Sequence, residues 1–256
     1  MNTKNSILDT EELANNLKFE SEIDKQFFKR VYSTPKKIYK DRLSVIGFEK
    51  KEKILDAGCG FGQWTGALSE LNEKIYAIDL ESNRIKITKK ISKLNNRNNI
   101  FFHVGSIENL PFAENTFDGI ISYSVIYWTD FKNSLKEFYR VLKPNGVVYF
   151  VANESGWYLY NLLTGHSSAS DYNSRSYAVK TFFSTIKYYL TGKKSKNSSL
   201  ILSKKSISKF MKSIGFKKIV YAEEGYIQIK KGIEPHPFYP KKFLGLPNVF
   251  EIWAEK

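Results

Sequence analysis

Leu55-Asp56-Ala57-Gly58-Cys59-Gly60-Phe61-Gly62 is the stretch that decides the fold of this chain. The residues leading into it, Lys53-Ile54-Leu55-Asp56-Ala57, form a short, largely apolar run of the kind a buried strand needs, and glycines at 58, 60 and 62 end it abruptly. Helical spacing resumes from about Trp64 to Leu71. A strand that passes through a glycine turn into a helix exposes backbone at the strand's carboxyl end. Glycine has no Cβ and admits positive φ, so a ligand can approach that backbone closely.

Working outward, the same alternation repeats. Lys74 to Asp79 predicts a second strand, Glu81 to Leu94 a second helix with Ile85, Ile87, Ile91 and Leu94 on its buried side, and Ile100 to Val104 a third strand. Phe117 to Tyr123 predicts a fourth strand, Asn133 to Val141 a helix, and Lys143-Pro144-Asn145-Gly146 a turn releasing a fifth strand, Val147 to Val151. Strands separated by helices must pair in parallel, which predicts an α/β, Rossmann-like doubly wound sheet. Ser203 to Ile214 has helical spacing with Gly215 as its C-terminal stop, and Lys217–Glu223 and Val249–Ala254 close the sheet.

The organisation expected is one domain over 1–256: a helical cap at 1–50, a cofactor-binding core at 51–152, an inserted cap of short helices and loops at 153–200, and a C-terminal helix with closing strands at 201–256. Hydrophobic residues make up 42% of the chain, without the run of roughly 20 apolar residues that a membrane helix needs. The N-terminus lacks the basic-then-apolar order of a secretory signal, so a cytoplasmic location is expected. A single cysteine, Cys59, excludes an intramolecular disulfide and a thiolate metal cluster within one chain, and no metal is expected. The formal net charge of +14 raises nucleic acid as a partner. However, 34 of the 40 basic residues are lysines spread along the chain, whereas nucleic-acid readers favour arginine, so nucleic acid is not expected.

Asp79 ends the second strand about 20 residues beyond the glycine loop, where a carboxylate can accept from both hydroxyls of a ribose. Glycine loop plus Asp79 predicts a nucleoside cofactor. A dinucleotide fingerprint would read G-x-G-x-x-G and rest pyrophosphate on a helix N-terminus. Here the loop reads G-C-G-F-G behind Asp56, whose carboxylate repels pyrophosphate and attracts a cation such as the ammonium or sulfonium of S-adenosylmethionine.

The chain resembles the class I S-adenosylmethionine-dependent methyltransferases, particularly the ubiquinone and menaquinone biosynthesis group with a type 11 methyltransferase domain. The residues carrying this are Leu55 to Gly62, Ile78-Asp79-Leu80, Gly105-Ser106-Ile107-Glu108-Asn109-Leu110-Pro111-Phe112, Phe117 to Ser122, and Glu137 to Gly146. The resemblance covers roughly 50–152 and implies a seven-stranded sheet with its last strand antiparallel. It implies S-adenosyl-L-methionine as cofactor and S-adenosyl-L-homocysteine as product. Cofactor contacts are expected from Asp56, Ala57, Gly58, Gly60, Gln63, Trp64, Asp79, Leu80, Ser106, Ile107 and Ser122. At 106 the family often has aspartate; the serine hydroxyl here can also accept.

The acceptor is not implied. In-line transfer from a sulfonium needs positioning above all, and a base only where the nucleophile must lose a proton. His166, His236 and Tyr127 are the candidate bases, His103 is structural, and Tyr32, Tyr127 and Trp128 are the candidate substrate contacts. Trp157, Tyr158 and Tyr160 add aromatics for an enclosed pocket. The function expected is methyl transfer to a small molecule, on oxygen. The alternatives are an RNA methyltransferase, disfavoured because Ser122-Tyr123-Ser124-Val125 replaces the base-amine segment, and a non-catalytic S-adenosylmethionine-binding protein. The oligomeric state is not legible.

Overall fold

Among the residues that the computed structural model describes, 7–167, 169–230, 232, 234 and 236–256, three helices precede the first strand: α1 (Ile7–Asn15), α2 (Glu22–Ser33) and α3 (Lys36–Val45). β1 (Lys53–Ala57), α4 (Gln63–Leu71), β2 (Lys74–Asp79), α5 (Ser82–Leu94) and β3 (Ile100–Val104) then alternate. They are followed by β4 (Phe117–Tyr123), a 3-10 turn (Ile126–Trp128), α6 (Phe131–Val141) and β5 (Leu142–Asn153). Next come α7 (Ser155–Thr164), α8 (Ser174–Thr191), α9 (Lys204–Ser213), β6 (Lys217–Glu223), a small hairpin of β7 (Lys242–Phe243) and β8 (Leu246–Pro247), and β9 (Val249–Glu255).

Seven strands make one sheet in the order β3-β2-β1-β4-β5-β9-β6. β9 runs antiparallel to both its neighbours, and the remaining pairs are parallel, as expected of a doubly wound sheet whose last strand is reversed. Strand order reverses between β1 and β4, so a crevice opens at their carboxyl ends, the usual ligand position in such sheets. Alternate side chains feed opposite cores. Ile120, Val148, Phe150 and Ile252 pack with α6 and α9 on one face, and Ile121, Tyr149 and Trp253 pack with α3 and α4 on the other.

Two elements depart from expectation. β5 begins at Leu142, not Val147: Leu142 pairs with Phe117 and Val147 with Gly119, so Lys143–Gly146 form a wide bulge inside the strand instead of a turn before it. Asn145, at φ +63, donates its N–H to the Lys256 carbonyl at 3.1 Å, which gives the bulge an external partner. The inserted cap holds α7 and the 18-residue α8, not only short helices and loops. α8 buries Ser174, Ala178, Thr181, Ser184 and Tyr188 while Phe182, Phe183 and Leu190 lie exposed. The usual apolar-inside pattern is therefore reversed, and amphipathic spacing gives no signal for the buried side. Hydroxyl pairs hold that side: Thr181 Oγ1 lies 2.7 Å from Ser199 Oγ, and Ser184 Oγ 2.6 Å from Ser198 Oγ.

The N-terminal helices are fixed to the sheet by a buried ion network. Arg42 Nη2 of α3 donates to Tyr149 OH and to Glu251 Oε2, each at 2.6 Å, and lies 3.2 Å from Glu224 Oε1. Tyr123 OH, at the end of β4, donates to Glu224 at 2.9 Å. No described helix is long and apolar enough to cross a membrane.

Candidate cofactor and acceptor site

The glycine loop is held against β2. Gly58 N and Cys59 N both donate to the Ile78 carbonyl, at 2.8 and 3.0 Å. Gly58, Gly60 and Gly62 all have positive φ, at +81, +54 and +82. At Gly62 a Cβ would stand 2.2 Å from Thr88 Cγ2, so the loop could not close there with any larger residue. At Gly60 the nearest atom to such a Cβ is on the Phe27 ring at 3.5 Å, so an aromatic roof lies over the loop there. Cys59 is buried, and burial raises its thiol well above the usual range, so it is an inert packing group.

Asp79 closes the loop from the neighbouring strand. Its Oδ2 accepts from Gly60 N at 2.8 Å and its Oδ1 from Glu81 N at 2.9 Å. A carboxylate oxygen takes two donors, so one acceptor position remains on each oxygen, as a ribose diol requires. Leu80 beside it is 67% exposed, an uncovered apolar surface for a purine. Ser106 Oγ accepts from Glu108 N at 3.1 Å, ordering the loop after β3, and Ile107 is buried in the core. Asp56 is buried under the loop and accepts from Thr65 Oγ1 at 2.5 Å. Burial, with Asp79 nearby, pushes its carboxyl up to about 7. A carboxyl so raised is ionised most readily when a cation arrives. A glycine loop held in the left-handed region, spare lone pairs on Asp79, a bare leucine and a carboxyl raised by burial together fit S-adenosylmethionine.

Other expected contacts lie elsewhere. Trp64 is 2% exposed and packs with Tyr39 and Tyr123 at ring separations of 4.9 and 4.8 Å, which makes it core and not a cofactor contact. Ala57 and Ser122 are both fully buried, and Ser122 Oγ donates to the Ala57 carbonyl at 2.8 Å, tying β4 to β1. Gln63 and Tyr32 border a separate cavity of about 300 Å³ between α4 and the N-terminal helices. Tyr32 is accordingly a tether, not a substrate contact: it stacks on Phe28 and donates to the Phe61 carbonyl at 2.7 Å, pinning α2 onto the glycine loop. His166 and His236 are both exposed and neither lines the site cavity, so neither is placed as a base. His103 packs on Tyr76 and Phe112 within β3's environment, and burial lowers its pKa.

The main cavity, about 620 Å³, is lined by Phe27, Ser124, Tyr127, Trp128, Asn153, Trp157, Tyr172, Tyr177 and Tyr239, with Asp24, Arg30 and Arg84 among its charged residues. Tyr127 and Trp128 thus reach it as expected, and Trp157 joins them; Tyr158 and Tyr160 do not. Tyr127 is raised far above the ordinary phenol range by burial, so it is neutral near pH 7 and a poor base. Phe27, Ser124, Asn153, Tyr172, Tyr177 and Tyr239 carry no motif and were not anticipated. Ser124, left-handed at φ +61, is the only one with a local signal, since it ends β4. Both caps close over this space: Asp171 accepts from Glu22 N and Ile23 N, at 2.8 and 3.0 Å, and so caps α2 from the inserted segment.

A Rossmann-like sheet with this loop, this acidic strand end and this crevice defines the class I S-adenosylmethionine-dependent methyltransferase fold. Residues 55–150 match the model of the methyltransferase domain. A demethylmenaquinone methyltransferase of a Geobacillus species is 34% identical over 142 residues, covering 46% of this chain and 61% of the relative. The chain therefore spans under two thirds of that relative's length. An S-adenosylmethionine-dependent methyltransferase from Aquifex aeolicus superposes with a TM-score of 0.56 at 14% identity, over 93% of this chain and 99% of the other. The [4+2]-cyclase SpnF gives 0.58 at 12% identity, over 86% and 80%. Both structural likenesses speak for the fold alone.

Proposed function

We propose that this protein transfers a methyl group from S-adenosylmethionine to an oxygen of a small, flat, largely apolar acceptor that enters as an anion. The observation that carries this is the aromatic cavity at the carboxyl ends of β4 and β5, one of whose walls, Phe27, also lies over Gly60 of the glycine loop. Stacked rings suit a planar ligand and exclude water from it. Bound at the glycine loop beside Asp79, the cofactor would supply an electrophilic methyl; the chain positions the acceptor. Tyr127 is held neutral by burial, Asp24 is paired with Arg84 at 2.7 Å, and Glu11 with Lys29 at 2.6 Å. The nucleophile must therefore bring its own charge. Among the described residues Arg30 forms no ion pair; its guanidinium lies 5.3 Å from the Phe27 ring centroid at the cavity wall, where it favours a phenolate or enolate oxygen.

Purified protein with labelled S-adenosylmethionine and a panel of phenolic, enolic and quinol acceptors tests this. Demethylmenaquinol, the reduced form of the compound in the relatives' name, is the first to try, because the quinone itself has no ionisable oxygen. The expected result is S-adenosylhomocysteine formed in step with an O-methylated product, and a melting temperature raised by either cofactor form but not by NAD. Tight NAD binding without response to S-adenosylmethionine, or saturable methylation of one tRNA or rRNA nucleotide at physiological salt, would overturn the reading.

A further inference from the structure

We propose that the outer face of α8 is a membrane-docking surface for lipid bearing anionic headgroups. Val179, Phe182, Phe183, Ile186, Tyr189 and Leu190 recur at three- and four-residue steps along this helix, and they are 42, 53, 63, 42, 55 and 81% exposed. They form one continuous apolar stripe, while the opposite face is sealed against the protein by small and hydroxylated residues. Isolated exposed apolar residues need no explanation; six on one helical face do.

Charge names the partner. Although lysines occur throughout the chain, acidic residues do not: residues 172–222 contain 12 lysines and arginines and no aspartate or glutamate. The rest of the chain holds 28 basic against 26 acidic side chains, so nearly all of the +14 resides in this segment. The even spread expected from composition applies to the lysines but not to the net charge. On α8 itself, exposed Lys180 and Lys187, seven residues apart, edge the stripe on one side, and Lys193 and Lys196 follow Gly192 at its end. Aromatic and leucine side chains on one face with lysines on its border are what an interfacial helix presents to acyl chains and phosphates. The first turns of α8 also place Tyr177 on the wall of the main cavity, next to Trp128 at a ring separation of 5.4 Å. Docking through α8 would bring a membrane-dissolved acceptor to that cavity. The surface itself does not depend on the methyl-transfer reading.

Flotation of the full chain with vesicles of phosphatidylcholine and phosphatidylglycerol, without cofactor, tests the proposal. Binding is expected to phosphatidylglycerol-containing vesicles and to weaken at least tenfold with phosphatidylcholine alone or at high salt. Phe182→Ser/Phe183→Ser/Leu190→Ser should abolish it while keeping the native melting temperature, because those side chains contact solvent. Lys180→Gln and Lys187→Gln, which leave the stripe untouched, should each weaken it roughly fivefold. The proposal is overturned if the native chain ignores phosphatidylglycerol vesicles, or binds neutral ones equally well. It is also overturned if the serine variant abolishes a concentration-dependent dimer in sedimentation while vesicle binding persists, which would make the face a self-interface.

Discussion

Replacing Asp79 by alanine should damage two properties at once, by amounts that follow from its four acceptor positions. Two are filled by Gly60 N and Glu81 N, and two remain for a ribose. Losing the latter removes hydrogen bonds to a charged acceptor and should weaken cofactor binding by about 1.5–3 kcal/mol, roughly ten- to 150-fold in Kd. The former matter to the fold. Glu81 is exposed and water can replace its partner, but Gly60 is buried and its N–H would be left without one, at a cost of about 1–3 kcal/mol. For a chain of 256 residues this lowers Tm by about 2–12 °C. Asp79→Asn keeps one carbonyl acceptor and should fall between the two. Calorimetric titration with S-adenosylhomocysteine and thermal melts of the apo-protein measure the two effects separately. An alanine variant that binds as tightly as the native chain would remove Asp79 from the ribose site. One that loses affinity with an unchanged Tm would show that Asp79 does not support the loop.

Asp56 makes cofactor affinity depend on pH: its carboxyl, raised by burial to about 7, must be ionised to face a cation, so the Kd for S-adenosylmethionine should fall as pH rises from 6 to 8, and Asp56→Asn should flatten that profile. Because the folded chain holds this proton more tightly than the unfolded one, whose aspartate titrates near 3.8, Asp56's contribution to apo stability should decline from about pH 4 to about pH 7. Gly62→Ala meets both a φ of +82 and Thr88 Cγ2 at 2.2 Å, and should cost at least about 1–3 kcal/mol in urea unfolding. Adding Thr88→Ser, which removes that methyl and keeps the hydroxyl that donates to the Gly60 carbonyl at 3.0 Å, should recover the steric part only. Arg42→Met leaves Glu224 and Glu251 buried without their cation and should cost about 3–5 kcal/mol. That loss should shrink in acid as Glu224, whose carboxyl burial already raises, takes up a proton, and a loss independent of pH would point to packing instead.

The alternation of strands and helices, the glycine loop and the acidic end of β2 were legible in the sequence because each is a local demand. A buried parallel strand needs a short apolar run, a strand-to-helix turn needs residues that tolerate positive φ, and Lys74–Asp79 and Phe117–Tyr123 meet the first demand within their own residues. The cavity wall is of another kind. Phe27, Tyr177 and Tyr239 come from a helix before the sheet, a helix between β5 and β6 and the segment between β6 and β7, and no spacing links them. Trp64 looked like a neighbour of the cofactor because it follows the loop, yet the turn of α4 sends it into the core beside Tyr39. His166 and His236 had suitable chemistry, but the chain leaves both in solvent. α8 shows the limit most plainly. The sequence predicts only short helices and loops there, and packing against Ser198 and Ser199 decides that the apolar face of this long helix points outward.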